Sequence, residues 1–280
     1  MRYTIKYWVL PVVILLLFSN CGGLKNKGVD MSADSVALST INVLDTTSYK
    51  LGNMTQCSVT AEAAITYPAE YKNSEATMAL QRLFSDIVLE VPADSVGLSD
   101  AFGRFVKNVL SEYGEDVDQI EFEKEDHSIV YKYNSRTEIK AVYNSNGIIS
   151  FCKQEVTMKN GKLTMTSHTY YNISLNTMSR IEMNNVFAED VIADVSDLLK
   201  RKLLVQLGAK DESDLIDMGY FNLDNLVANN NFAIGDEGLT WTFGTYDIAC
   251  YSVGETVITL DYETLRPYIL ENSEIIRLIH

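Results

Sequence analysis

The sequence predicts an α+β fold in which antiparallel sheets are packed by amphipathic helices. Asn-Gly pairs at 146–147 and 160–161 separate segments in which apolar and polar residues alternate. Asn-Gly favours type I′ hairpin turns because both central residues need positive φ. Stretches with apolar residues at every third or fourth position precede and follow these segments, as is typical of helices that lie on a sheet.

The first twenty residues have the order of a secretory signal. Two basic residues precede an uncharged apolar run over 7–18, which is shorter than the roughly 20 residues of a membrane-spanning helix. Cys21 directly follows the polar exit residues, as in a lipoprotein signal. We therefore expect 1–20 to be removed and Cys21 to be lipidated. An ordinary signal peptide with a chance cysteine is the alternative.

The remaining sequence divides into three parts. Residues 21–48 are rich in small and polar side chains and predict a flexible tether. Residues 49–168 predict an N-terminal α+β region, and 169–280 predict a C-terminal domain.

In the N-terminal region, alternation predicts a strand over 56–68, and Ser74 is the expected N-cap of a helix that stops before Pro92. A second helix is expected to end near Gly114, and the acidic run 112–126 predicts a solvated face. The hairpin segments around the two Asn-Gly pairs follow.

Within the C-terminal domain, a long amphipathic helix is predicted over 189–206, with Gly208 just past its end. A short helix over 211–218, strands over 231–262 and a helical stretch over 264–279 complete the expected elements.

Two segments, 169–187 and 231–269, carry a recognisable set of residues: Val186, Phe187, Asn231, Phe232, Asp236, Glu237, Gly238, Leu239, Trp241, Phe243, Tyr246, Asp247, Ile248, Ala249, Gly254, Tyr262 and Leu265. With these residues the segments resemble the extracellular domain of RsiV-type proteins. That group includes the lysozyme-sensing anti-sigma factor and the non-catalytic N-terminal region of PdaC-type peptidoglycan deacetylases. The resemblance covers about residues 50–270. It implies an envelope binding domain, and we expect neither a cytoplasmic anti-sigma segment nor a deacetylase domain.

The charge of the chain restricts its partners. The protein has 23 basic and 38 acidic residues. Loss of Arg2 and Lys6 with the signal leaves 21 basic residues and a net charge of −17. Nucleic acid is excluded as a partner because phosphate binding depends on Lys and Arg. A cationic protein would be attracted, although such a charge also serves solubility alone.

The residues that carry chemistry are sparse. His127, His168 and His280 are the only histidines, no nucleophile motif accompanies them, and no metal-ligand spacing or phosphate loop occurs. We expect no catalysis, cofactor or metal, and a strand-face or interface role for His168. Cys57, Cys152 and Cys250 leave three disulfide pairings open, with free thiols favoured.

The ligand-contact prediction falls on a loop. Tyr246, Asp247 and Tyr251 flank it, whereas Leu239, Trp241 and Phe243 share a strand face and are expected in the core. The sequence thus favours a non-catalytic binding module in the cell envelope, lipid-anchored to a membrane and facing the periplasm. Its ligand would be peptidoglycan or a cationic protein such as lysozyme. A structural or assembly lipoprotein and an uncharacterised cell-wall hydrolase are the alternatives.

Overall fold

The structure is a computed structural model that describes residues 35–51, 54–92, 97–119 and 131–279. The predicted signal peptide, the lipidation site Cys21 and the part of the acidic run beyond Gln119 lie outside the described residues.

The described chain forms a six-stranded sheet, a three-stranded sheet and six α-helices. The elements are β1 (Ala37–Leu51), β2 (Met54–Glu70), α1 (Ser74–Ile87), α2 (Leu98–Gln119), β3 (Tyr131–Ser145), β4 (Ile148–Lys159), β5 (Lys162–Ser174), β6 (Ser179–Ile181), α3 (Met183–Val186), α4 (Ile192–Leu207), α5 (Glu212–Asp217), β7 (Phe232–Ile234), β8 (Gly238–Phe243), β9 (Thr256–Asp261) and α6 (Tyr262–Leu265). Short 3₁₀ helices span Glu189–Val191, Leu223–Asn225 and Glu274–Leu278.

The large sheet has its strands in sequence order, from β1 to β6. All neighbours are antiparallel except β2 and β3, which run parallel. A parallel pair needs a long crossover connection, and α1 and α2 lie between these two strands in the chain. The predicted α+β class with antiparallel sheets is confirmed, with this one parallel pair added.

The two hairpin turns have the predicted conformation. Asn146 and Gly147 have φ of 51° and 66°, and Asn160 and Gly161 have φ of 50° and 75°. The turns join β3 to β4 and β4 to β5. The Asn-Gly signal therefore located the turns of both central hairpins correctly.

The tether prediction is wrong for residues 37–48, which form most of β1. Their polar composition resembles a linker, but alternate residues pack as a strand does. Ile41 and Val43 contact the helix-side core, whereas Thr40 and Thr46 place their hydroxyls 3.0 and 3.2 Å from those of the facing threonines on β2. An edge strand with one polar face needs few apolar residues, which is why composition alone missed it.

Three predicted helix boundaries need correction. Asn73, not Ser74, caps α1, because its Oδ1 accepts a hydrogen bond from the Ala76 amide at 2.9 Å. The second helix continues past Gly114 to Gln119. The final stretch contains only α6 and the 3₁₀ helix Glu274–Leu278, since Pro267 lacks an amide donor and disfavours helix at the residue before it.

Two apolar cores lie on opposite faces of the large sheet. On one face α1 and α2 cover the sheet, where the Phe84 and Phe151 rings meet with centroids 5.0 Å apart. The small sheet and α4 build the second core, in which Phe232 and Trp241 lie 5.8 Å apart. Adjacent residues of β4 point into different cores, Ile148 into the second and Ile149 into the first. The predicted core positions of Leu239, Trp241 and Phe243 are confirmed.

Asparagine side chains join the two sheets. The buried Asn172 amide on β5 donates to the Phe232 carbonyl at 2.8 Å and accepts from the Ile234 amide at 3.0 Å. Asn231 in turn accepts from the Tyr170 amide and donates to the His168 carbonyl, both at 3.0 Å. These side-chain amides form hydrogen bonds with the strand backbone as a peptide group would. The described residues form one compact unit. The predicted boundary between residues 168 and 169 falls inside β5.

Candidate functional site

The segment 244–254 between β8 and β9, hereafter the aromatic loop, exposes all three predicted contact residues, Tyr246, Asp247 and Tyr251. Tyr246 is 61% exposed and Tyr251 is 56% exposed. Their ring centroids lie 6.2 Å apart with an interplanar angle of 31°. The structure therefore brings the two tyrosines together as one aromatic pair on the surface.

Backbone and side-chain contacts fix the shape of this loop. The Asp247 Oδ2 accepts from the Gly244 amide at 2.7 Å, and the Tyr246 amide donates to the Ala249 carbonyl at 3.1 Å. Tyr246 has φ of +73°, a left-handed conformation that side chains rarely adopt. Ile248 is fully buried and anchors the loop to the second core. The third predicted contact residue, Asp247, thus holds the turn that presents Tyr246.

A second segment, 216–227, extends the exposed surface. Backbone hydrogen bonds join the two segments, from the Phe221 amide to the Ile248 carbonyl at 2.8 Å and from the Cys250 amide to the Gly219 carbonyl at 2.9 Å. Segments 216–227 and 244–254 together are called the loop surface. The exposed large apolar side chains that the second segment adds are Ile216, Met218, Phe221 and Val227.

Sequence reasoning missed this second segment. Its apolar residues look like the core stripe of a short helix, and only the fold shows which of them face solvent. Leu215 and Tyr220 are buried, whereas their neighbours Ile216 and Phe221 are exposed.

The sequence around the loop surface contains no cationic side chain. Between Lys210 and Arg266 there is no lysine, arginine or histidine, and there are eleven acidic residues. A surface that combines exposed aromatic rings with acidic surroundings suits a partner that presents basic and apolar groups together.

Cys250 lies inside the aromatic loop and is partly exposed. A hydrogen bond with the Ser252 side chain, with Sγ and Oγ 3.0 Å apart, lowers the pKa of its thiol below the usual value. The three described cysteines, Cys57, Cys152 and Cys250, are free thiols, as favoured by the sequence, although only Cys57 is fully buried.

His168 fixes the far end of the aromatic loop to the large sheet. Its Nδ1 lies 2.7 Å from a Glu255 carboxylate oxygen, and both side chains are mostly buried. Glu255 directly follows the loop, so this contact ties the entrance of β9 to β5. The predicted strand-face or interface role of His168 is consistent with its place on β5 and its contact with Glu255.

Cys152 and Tyr170 face each other on β4 and β5 near this pair. Burial raises the pKa of the Cys152 thiol to about 11, so the thiol stays protonated at neutral pH and is a weak nucleophile. The Tyr170 hydroxyl lies 3.2 Å from the Thr242 hydroxyl, and burial raises its pKa as well. The arrangement joins the two sheets and contains no activated nucleophile.

The described ranges hold neither a cluster of metal ligands nor a membrane-spanning helix. Across them, no three His, Cys, Asp or Glu side chains converge closely enough to hold a metal ion. No helix among these same residues has both the length and the apolar character of a membrane span.

The fold and the loop surface define a class of protein, an α+β module that presents an aromatic and acidic surface. Residues 184–263 match the family described as protein of unknown function (DUF3298). No curated protein matches the sequence.

Solved structures share this fold. A DUF3298 family member from Bacteroides fragilis NCTC 9343 aligns with a TM-score of 0.65 and 16% identity, covering 85% of this chain and 96% of that chain. A DUF3298 family protein from Pseudomonas aeruginosa PAO1 aligns with a TM-score of 0.53 and 12% identity, covering 86% and 97% of the two chains. At such identities the likeness shows the fold alone.

Proposed function

We propose that this protein is a non-catalytic binding module of the cell envelope, held on a membrane by a lipid on Cys21 and facing the periplasm. Its loop surface contacts a cationic protein, such as a lysozyme-like enzyme. The single observation that carries this proposal is the exposed pair Tyr246 and Tyr251.

Exposed aromatic and apolar side chains in one place support a binding role. Monomeric proteins seldom expose large contiguous apolar patches, and tyrosine is enriched at interfaces because its ring is apolar while its hydroxyl stays hydrated. Six exposed large apolar side chains belong to the loop surface. Their fixed backbone keeps the entropy cost of binding low.

Charge favours a cationic protein over a cell-wall glycan as the ligand. The chain carries a net charge of −15, and residues 211–265 contribute eleven acids without a base. Long-range attraction to a basic partner raises its association rate and weakens with salt. A neutral sugar polymer would gain nothing from this charge. The RsiV-type resemblance points to the same class of ligand.

A binding assay with lysozyme tests the proposal. We expect lysozyme to bind the wild-type protein at low ionic strength and at least tenfold more weakly in 0.5 M salt. The double variant Tyr246→Ala/Tyr251→Ala should bind at least tenfold more weakly than wild type with unchanged Tm, measured by calorimetry. Leu163→Ala removes an equally exposed apolar side chain elsewhere and should leave binding unchanged.

If lysozyme does not bind at either salt concentration, the proposal of a protein partner is contradicted. A parallel pull-down with purified peptidoglycan sacculi distinguishes the ligands. Retention on sacculi that depends on the two tyrosines would instead assign the loop surface to glycan.

Membrane anchoring needs its own measurement. Mass spectrometry of the protein from its native envelope should find an acylated Cys21 at the mature N-terminus. The Cys21→Ser variant should leave the membrane fraction. An intact Met1 start would contradict the anchoring part of the proposal without affecting the loop surface.

A further inference from the structure

β1 is the outer strand of the large sheet, remote in the strand order from the small sheet. It pairs with β2 along its whole length, and its other side has no strand neighbour among the described residues. A strand in this position presents a row of unpaired amides and carbonyls, which are a template for pairing with another chain.

The side-chain contacts show which residues point their backbone groups outward. In an antiparallel pair, side chains lie closer at the positions whose backbone groups do not bond each other. The hydroxyl contacts of Thr40 with Thr66 and of Thr46 with Thr60 mark such positions. The register between β1 and β2 is unbroken from Leu38 to Tyr49. The even-numbered residues of β1 therefore direct their amides and carbonyls to the free edge.

A hydrogen bond at one end of this edge supports the same assignment. The Thr46 amide donates to the Asp45 Oδ1 at 2.8 Å, so it is satisfied by a side chain of its own strand. This contact also places a carboxylate at the open edge. Thr40, Asn42 and Leu44 are the three outward positions that precede Thr46 on the same edge.

The features that usually prevent an edge strand from pairing with another chain are scarce in β1. The stretch from Leu38 to Ser48 contains no proline, no lysine and no bulge, and Asp45 is its only charged residue. Leu44 is exposed in the middle of the strand. Natural edges of this length are commonly blocked by such devices unless they pair with something.

We propose that residues 38–46 of β1 form a peptide-docking edge that accepts an extended basic segment of a partner protein as a seventh strand. Main-chain hydrogen bonds to the outward groups of Thr40, Asn42 and Leu44 hold the segment, as in other cases of strand addition. A lysine or arginine of the segment pairs with Asp45. A second copy of this chain fits less well, because two copies would bring together Asp45 carboxylates and a net charge of −15 each.

Synthetic peptides test this edge independently of the loop surface. The probe is a ten-residue peptide of alternating lysine and valine. We expect it to bind and to shift the amide NMR signals of Thr40, Asn42 and Leu44. The same peptide with every backbone amide N-methylated keeps its charge but loses its donors, and it should bind at least tenfold more weakly. A glutamate–valine peptide should also bind at least tenfold more weakly.

Proline substitutions supply matched protein variants. Asn42→Pro removes one outward donor and leaves the pairing with β2 intact, so it should weaken peptide binding at least tenfold while Tm changes little. Val43→Pro removes a donor that faces β2 and should lower Tm strongly. A large Tm loss in both variants would overturn the assignment of outward residues.

The other outcomes are equally decisive. Equal binding of the methylated peptide, equal binding of the glutamate peptide, or no binding overturns the proposal. Sedimentation that shows a wild-type dimer lost in Asn42→Pro would assign the edge to a second copy instead.

Discussion

Asn172 shows how one buried polar side chain holds two sheets together. It accepts from the Ser150 hydroxyl at 2.7 Å in addition to its two contacts with the backbone of β7. A buried amide of this kind is stabilising only while its partners are present, because each unpaired partner would keep its full desolvation penalty. The side chain therefore specifies how the small sheet sits on the large one.

Replacement of Asn172 by alanine should destabilise the protein by about 3 kcal/mol, since it leaves buried backbone and hydroxyl groups of β7 and Ser150 without a partner. Urea unfolding measures the change. Asn42→Ala, on the exposed face of β1, is the control and should change stability by less than about 0.5 kcal/mol. Equal effects of the two substitutions would show that the Asn172 contacts contribute nothing specific.

The cysteine thiols should differ in their reactivity with pH. The thiolate is the reactive form, so alkylation accelerates as pH rises towards the pKa of each thiol. Cys250, with its lowered pKa and partial exposure, should be alkylated first and approach its full rate at a lower pH than Cys152 does. Cys152 should react slowly at pH 8 and still accelerate towards pH 11. Site-resolved mass spectrometry after iodoacetamide treatment measures both rates, and faster labelling of Cys152 at pH 8 would contradict the structure.

The two Asn-Gly turns are equivalent in sequence but differ in their surroundings. A Cβ on Gly147 would lie 3.1 Å from an Arg277 guanidinium nitrogen and 3.3 Å from the Asn176 amide nitrogen, whereas Gly161 has nothing within 4 Å. Arg277 and Asn176 both contact Glu274, so the C-terminal 3₁₀ helix packs against the first turn.

Alanine substitutions at the two turns separate backbone strain from packing. Gly161→Ala should cost about 1 kcal/mol, because alanine is disfavoured at positive φ. Gly147→Ala should cost about 1 kcal/mol more, since the Cβ also displaces the C-terminal contacts. Thermal unfolding of both variants measures the difference. The double variant Gly147→Ala/Arg277→Ala should recover part of the extra destabilisation of Gly147→Ala. No recovery would contradict the packing explanation.

Elements with a local signal were well predicted. The apolar face of β2, the long helix α4 with Gly208 in the left-handed conformation, and the short helix capped by Asp211 all follow from residues within a few positions of each other. β1 was missed because its stability comes from pairing with β2 and from the helices beneath it, and neither is encoded in its own composition.

At the scale of the whole molecule, the two cores share the strands β4 and β5. Phe151 and Ile173 pack in one core, while Ile148 of the same hairpin packs in the other. Disruption of either core therefore destabilises strands that also form part of the other core. The large excess of acidic residues acts on the molecule as a whole, because it creates a negative field that favours encounter with basic over acidic molecules.

The shared strands should make unfolding a single cooperative transition. Phe232→Ala, in the second core, should lower Tm by several degrees without splitting the transition, because loss of that core also exposes one face of β4 and β5. Differential scanning calorimetry tests this, with equal calorimetric and van't Hoff enthalpies as the criterion. Two resolved transitions would show that the regions before and after residue 168 fold separately.

The candidate site was predictable in part. Tyr246 and Tyr251 were expected to be exposed because they flank a loop, and that expectation is confirmed. The contribution of Phe221 to the loop surface depends on hydrogen bonds between segments that lie between 22 and 31 residues apart in the chain. No local pattern encodes those distances.

By itself, the sequence determined the α+β class, the hairpin turns, the main helices and the charge of the molecule. These follow from periodicity, turn chemistry and composition, which act over short distances along the chain. Only the tertiary structure decided that β1 is a strand, that asparagine amides join the sheets, and which apolar residues stay exposed. Those features depend on contacts between distant residues, where burial and hydrogen-bond satisfaction, rather than local propensity, determine the outcome.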